Sequence, residues 1–250
     1  MSKRLVIGNW KMNPKSLKEA EALFKGIVTA SKDSKNVDIV VCPPYPFLTT
    51  AKKVPNKKIK LGAQDTSEML EGSYTSQVSS SMISSLGATY VIIGHSERRS
   101  IGDTDEIVNK KILQALKSKL IPVVCIGENV RDTHGDYLAL VKYQLIDCLK
   151  NVSKLQMKNI VIAYEPVWAI GSHATRVATP EEFTEMKIFI RKVLSDIFDS
   201  KVAHATRVLY GGSVNPQNAQ AFVDATADGF LVGRDSLNPK KFGAIIAVCK

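Results

Sequence analysis

Three residues of different chemistry each follow a short apolar run. Glu165 stands in Ala163-Tyr164-Glu165-Pro166-Val167-Trp168, His95 in Ile93-Gly94-His95-Ser96-Glu97-Arg98-Arg99, and Lys11 in Gly8-Asn9-Trp10-Lys11. A carboxylate, an imidazole and an ammonium suit proton abstraction beside a carbonyl. They supply a base, a hydrogen-bond donor to the oxygen and a cation to balance the charge that develops there. An apolar, aromatic setting draws water from a carboxylate and makes it a stronger base. Pro166 favours an extended Glu165. Ser96 is expected to cap a helix whose N-terminus disfavours the imidazolium. A neutral imidazole still polarises a carbonyl. Taken singly, each residue has a plainer reading: a surface glutamate at a strand end, a satisfied structural histidine, one basic residue among many. Glu97 fits a partner for an arginine or for Lys11. The four histidines, His95, His134, His173 and His204, lack close ligand spacing, so neither a metal nor a cofactor is expected.

These residues need elements to hold them. Eight short β-branched apolar runs recur: Leu5 to Gly8, Val37 to Cys42, Ile59 to Gly62, Tyr90 to Gly94, Ile121 to Gly127, Ile160 to Tyr164, Arg207 to Gly211 and Gly229 to Gly233. Continuous apolarity predicts strands buried on both faces. Helical spacing fills the gaps. Leu17, Ala20, Leu23, Phe24 and Ile27 share one face, and Phe183, Met186, Ile190 and Leu194 repeat the pattern. A further helix carries Ile112, Leu113 and Leu116, with Ile107, Lys111, Gln114 and Lys117 on its polar side. Strand and helix alternate, which predicts parallel strands with right-handed crossovers. Eight units in 250 residues predict one α/β domain, a (β/α)8 barrel spanning 1–250. A doubly wound open sheet is the weaker alternative, since no G-x-G-x-x-G follows the first run.

In such a barrel, chemistry sits past the C-terminal ends of the strands. Here those ends carry Asn9 and Lys11, Gln64, His95 and Glu97, Glu128, Glu165, then Gly211-Gly212-Ser213 and Gly233-Arg234. The last two are Gly-rich loops whose backbone N–H groups can approach a phosphate. The segment from Trp168 to Thr179 is long enough to act as a lid that excludes water, or it is a plain surface loop. Thr179-Pro180-Glu181-Glu182 reads as the next helix start.

Composition narrows the classes. Hydrophobic residues make up 44% and charged residues 23%, which excludes wholesale disorder. No apolar run reaches the ~20 residues of a membrane span. The start lacks a signal peptide's apolar middle. Cys42, Cys125, Cys148 and Cys249 show no paired spacing, and a reducing cytoplasm fits them. The net charge is +10, and residues 1–60 hold 13 Lys/Arg against 4 Asp/Glu. The excess is mostly lysine without interleaved aromatics, so a solvated face is the favoured reading over a nucleic-acid surface.

Seven segments together carry a resemblance: Gly8-Asn9-Trp10-Lys11-Met12-Asn13, Cys42-Pro43-Pro44, Gly62-Ala63-Gln64, Gly94 to Arg99, Cys125-Ile126-Gly127-Glu128, Ala163 to Gly171, and Tyr210-Gly211-Gly212-Ser213-Val214. In order and at strand ends, over its full length, the chain resembles the triosephosphate isomerase family. That enzyme is a standard worked case of a carboxylate base beside a neutral histidine. The resemblance implies interconversion of dihydroxyacetone phosphate and D-glyceraldehyde 3-phosphate, a step of glycolysis and gluconeogenesis. It implies Glu165 as proton carrier, His95 as electrophile, Lys11 and Asn9 as electrostatic support, and Glu97 behind them. Backbone N–H groups of Gly171, Ser213, Gly233 and Arg234 would take the phosphate. Glu128, Pro166, Val167 and Trp168 would form the lid's hinge side, and Tyr210 and Ser213 its latch. A homodimer is implied, with Thr75 of one protomer buttressing its partner's site.

The chain departs from the family pattern in three places. The lid usually reads Ala-Ile-Gly-Thr-Gly-Lys-Thr-Ala-Thr-Pro. Here Ser172 to Val177 make the tip two residues longer, without the second glycine. The eighth loop usually reads Gly-Gly-Ala-Ser. Here Arg234 and Asp235 intervene, and Arg234 is expected to pair with Asp235 and point away. Asp65 and Ser76 replace a commoner Asn and Gly near the interface. Two alternatives remain: another sugar-phosphate barrel enzyme, or a catalytically weakened isomerase-like binding protein using the basic N-terminal surface.

Overall fold

The computed structural model describes residues 3–52, 54–56, 58–171, 174 and 176–250, the side chain of Lys52 excepted. Ser172, His173 and Thr175 of the lengthened lid, and Lys53 and Lys57 of the basic segment, lie outside the described residues. The strands are β1 (Arg4–Asn9), β2 (Val37–Cys42), β3 (Ile59–Ala63), β4 (Tyr90–Ile93), β5 (Ile121–Ile126), β6 (Val161–Tyr164), β7 (Arg207–Tyr210) and β8 (Gly229–Val232). Each coincides with one of the eight apolar runs. They pair in sequence order, all parallel, and β8 returns to β1 to close the barrel.

The closed sheet explains the continuous apolarity. Leu5, Ile7, Val40, Cys42, Ile92, Val123, Cys125, Ala163 and Leu209 fill the barrel interior. Their strand neighbours Val6, Ile39, Val41, Val91, Val124 and Ile162 point outward under the helices. Successive side chains alternate faces, and both faces are dry. Cys42 and Cys125 are thus interior packing residues, and burial pushes both thiols up.

The helices start where the sequence supplies a cap. Ser16 accepts from the Glu19 amide ahead of Leu17–Ala30, and Thr104 from Ile107 ahead of Asp105–Lys117. Thr179 and Glu182 form a capping box ahead of Pro180–Ile197, with Pro180 in the first turn, as the sequence predicts. On that helix Phe183, Met186, Ile190 and Leu194 are all buried. On the first helix Ala20, Phe24 and Ile27 are buried, but Leu17 is half exposed at its N-terminal end.

One helix face departs from its pattern. Lys111, expected on the polar side of Asp105–Lys117, is only 4% exposed. Its ammonium lies 2.8 Å from Asp65 Oδ1 and 2.6 Å from Asp103 Oδ2. Arg98 Nε joins Asp65 at 3.0 Å. Periodicity registers a lysine as polar and misses carboxylates brought in from two other loops. Burial still outweighs both cations at Asp65 and holds its carboxyl above the usual range. Lys111→Met leaves the buried Asp103 and the partly buried Asp65 each short of a partner. It is expected to lower stability by roughly 3–5 kcal/mol, read from the urea unfolding midpoint.

Lys3, Lys15, Lys18, Lys25, Lys32, Lys35, Lys58 and Lys60 of the basic first quarter are all exposed. No helix among the described residues is long and apolar enough to cross a membrane.

Candidate active site

The C-terminal strand ends surround a cavity of about 890 Å³, lined by Asn9, Lys11, His95, Glu165, Gly171, Ser213, Gly233 and Arg234 among others. Glu165 is 2% exposed and follows β6 directly. Its amide donates to Ile126 O at 2.7 Å, so the end of β5 fixes its backbone. The approach is close enough to demand glycine at one position. A Cβ on Gly127 would come 1.8 Å from the Glu165 carbonyl oxygen. The carboxylate then has two partners. Oε2 accepts from the Ser96 amide at 3.0 Å, and Oε1 lies 3.2 Å from His95 Nε2.

His95 is 6% exposed. Its Nδ1 accepts from the Glu97 amide at 3.2 Å. An imidazole nitrogen that accepts carries no proton, which assigns the hydrogen of the neutral ring to Nε2, facing Glu165. The same bond makes His95, not Ser96, the cap of Ser96–Arg99. This corrects the sequence expectation. The imidazole takes the capping role of an Asx or Ser side chain, and the same amide bond sets its tautomer.

Lys11 is held in an unusual backbone conformation, φ +54°. A non-glycine residue there needs support from its surroundings. Its amide donates to Asn9 Oδ1 at 3.0 Å, and its carbonyl accepts from Gln64 Nε2 at 2.9 Å. Gln64 Nε2 also donates to Cys42 O at 2.9 Å, tying the ends of β1, β2 and β3 together. Asn9 is 5% exposed, and its carbonyl accepts from Ser236 Oγ at 3.3 Å. The ammonium pairs with Glu97 Oε1 at 2.6 Å. Lys11, not an arginine, is therefore the partner of Glu97.

The segment after Glu165 rests on a second buried carboxylate. Glu128 is 1% exposed, and its Oε1 accepts from Trp168 Nε1 and Tyr164 Oη, both at 2.8 Å. The Glu128 carbonyl accepts from Val167 N at 3.0 Å, with Pro166 between base and turn. Ser213 Oγ donates to Ala169 O at 2.8 Å. The Tyr210 hydroxyl is buried, stacked on Phe222 and without a hydrogen-bond partner among the described residues. Burial pushes this phenol up. Within the lengthened tip, Arg176 lies 4.2 Å over the Trp168 ring and donates to Glu182 at 2.9 Å. That carboxylate is held below its usual range by the guanidinium.

Gly171, with φ +75°, and Gly233, which precedes the short turn Arg234–Leu237, line the same cavity as Ser213. Arg234 does not behave as expected. Asp235 pairs with Lys241 at 3.1 Å, and no ion pair among the described residues involves Arg234, which lines the cavity. Asp235 is instead taken by Lys241 of the last helix, Pro239–Val248, and both of these residues line the cavity beside Arg234. Thr75 is far from any such cavity role in the single chain. It lies in the protruding segment 71–77, exposed throughout and closed at its base by Ser67 N donating to Val78 O at 2.8 Å.

Gln64 and Gly127 are the residues whose roles the sequence did not disclose. Both sit at strand ends, the one signal available for them. No group of His, Cys, Asp or Glu among the described residues is placed to hold a metal ion.

A carboxylate, an imidazole and an ammonium thus line one cavity together with Gly171, Gly211, Gly212 and Gly233. That is the layout of a barrel enzyme that shifts protons on a small anionic carbonyl compound. Comparison with known proteins narrows the class. The family model described as triosephosphate isomerase matches residues 4–249. Over 250 residues the chain is 43% identical to the triosephosphate isomerase of Clostridium botulinum and 41% identical to that of Dictyoglomus thermophilum, covering 98% of this chain and 99% of each relative. It is 41% identical to the triosephosphate isomerase of Carboxydothermus hydrogenoformans, with 98% of both chains covered. The chain belongs to the triosephosphate isomerase family.

Proposed function

We propose that the protein interconverts dihydroxyacetone phosphate and D-glyceraldehyde 3-phosphate through an enediolate. The observation that carries this is the 3.2 Å approach of His95 Nε2 to Glu165 Oε1 at the wall of a cavity that Lys11 also lines. Glu165 takes a proton from the carbon beside the carbonyl and returns it to the neighbouring carbon. The Nε2–H of His95 donates to the oxygen on which charge builds. Lys11 supplies positive charge to that oxygen, and Asn9 and Glu97 hold Lys11. The phosphate rests on backbone N–H groups of Gly171, Ser213, Gly233 and Arg234, with the Arg234 side chain at the rim. Pro166, Val167 and Trp168 act as the lid's hinge, steadied by Glu128. Tyr210, whose hydroxyl has no partner among the described residues, is free to latch it together with Ser213. Steady-state conversion of glyceraldehyde 3-phosphate by the purified protein tests the reading. Background turnover by correctly folded protein would overturn it.

A homodimer belongs to the same proposal. Met12 is 93% exposed and Ile101 72%, and the loop around Thr75 projects into solvent. A second copy would cover these groups and bring Thr75 to its partner's Asn9 and Lys11. Sedimentation is expected to give twice the monomer mass, shifted toward monomer by Thr75→Arg. Monomeric wild-type protein at micromolar concentration would remove the dimer. Four free, buried cysteines support a reducing, cytoplasmic location.

A further inference from the structure

Arg99 has no part in the scheme above, yet its guanidinium bridges the end of β4, which carries His95, to β5, which hydrogen-bonds the Glu165 backbone. Its Nε donates to Gly94 O at 2.8 Å, the carbonyl immediately before His95. Its Nη2 donates to Cys125 O at 3.2 Å on β5. The next residue, Ile126, accepts the Glu165 amide at 2.7 Å. A covalent and hydrogen-bonded chain thus runs from the imidazole through one guanidinium to the carboxylate. The fork is fastened from behind. Nη1 donates to Asp105 Oδ1 at 2.6 Å, and Cys148 Sγ lies 3.5 Å from Nη2. Gly94, at φ +72°, leaves room for it, since a Cβ there would sit 3.2 Å from Nη2.

We propose that Arg99 is a positioning residue for the isomerisation, setting the spacing between His95 Nε2 and the Glu165 carboxylate. The inference rests on the isomerase reading. Arginine suits the task because a planar fork satisfies two carbonyls and a carboxylate at fixed angles. A lysine reaches one carbonyl as a point charge. Without the fork, the ends of β4 and β5 are held only by their own ladder, and base and donor lose their mutual alignment. A misplacement of about 1 Å in such a pair costs on the order of 10²-fold in rate. Among the described residues Arg99 makes no hydrogen bond or ion pair with Gly171, Ser213 or Gly233, so the phosphate grip is untouched.

The test compares Arg99→Lys and Arg99→Gln with wild type by steady-state kinetics, thermal unfolding and ¹⁵N NMR of the histidine rings. The expected result is a kcat lowered roughly 10- to 100-fold with KM within about threefold of wild type. The His95 ring resonances should move in the same variants. A purely structural role would lower the unfolding temperature and leave the folded protein's kcat and His95 signals in place, and that outcome overturns the proposal. So does a rate loss carried by KM. Should both Arg99 variants fail to fold, Asp105→Asn decides. It keeps the guanidinium and loosens its outer tie, and an unchanged kcat in that variant overturns the proposal. Inactive wild-type protein would instead overturn the isomerase reading on which the inference stands.

Discussion

Replacing Glu165 by Gln is expected to lower kcat for glyceraldehyde 3-phosphate roughly 10²- to 10⁴-fold, the range of a lost general base, with KM little changed. The amide keeps the shape of the carboxylate, and its oxygen still accepts from the Ser96 amide, now 3.0 Å from Oε2. Fold and cavity should therefore survive, and the loss reports on proton transfer. The side chain meets His95 Nε2 and lies beside Gly211, but among the described residues it makes no hydrogen bond to Gly171, Ser213, Gly233 or Arg234, which is why KM is the insensitive quantity. Glu165→Asp refines the point. It retains the carboxylate and withdraws it by about one methylene, so a loss of order 10²-fold measures reach alone. A Gln variant within tenfold of wild type would remove Glu165 from the chemistry.

Lys11→Met is expected to cost about 10²- to 10³-fold in kcat/KM, the size seen when one preorganised charge-stabilising group is removed. Both kinetic constants should move. In the proposed mechanism the ammonium faces the reacting oxygen and, with an anionic substrate, also offsets charge in the ground state. The backbone should not collapse. The left-handed conformation at Lys11 is supported by Asn9 Oδ1 and Gln64 Nε2, which grip the main chain and not the side chain. Glu97, left without its cation, is 60% exposed and is solvated by water. Lys11→Arg keeps the charge but not the compact ammonium, and should recover only part of the loss. Activity of Lys11→Met within tenfold of wild type, in folded protein, would show that the ion pair with Glu97 is structural only.

The barrel was legible because its strands are dry on both sides. Runs such as Val37–Cys42 and Ile121–Ile126 carry almost no polar residue, and a closed parallel sheet is what hides both faces. Strand ends in turn pointed to the site, since Glu165, His95 and Lys11 each stop an apolar run. Contacts made across the fold were not legible. Lys111 reads as one more surface lysine until Asp65 and Asp103 arrive from other loops. The choice of His95 over Ser96 as cap depends on a ring nitrogen turning back to the Glu97 amide. The pairing of Asp235 with Lys241 crosses from a turn to the last helix, and composition gave no reason to prefer it over the adjacent Arg234. Gln64 was visible at the end of β3, but its grip on the Lys11 carbonyl spans 53 residues of chain.

Closure of β8 onto β1 has a consequence for how this chain can meet others. An open sheet always offers a row of unpaired amides and carbonyls at its margins, a generic adhesive for any extended peptide. Among the described residues the closed barrel leaves no such row. Strand exchange and growth by sheet addition have no starting point, and any lasting association must be written in side chains. Such contacts fall to projecting loops such as 71–77, whose composition can change without disturbing the ladder beneath the catalytic groups. Oligomeric habit and chemistry are therefore free to diverge in this fold, one being carried by removable loops and the other by the rim of an uninterrupted ring.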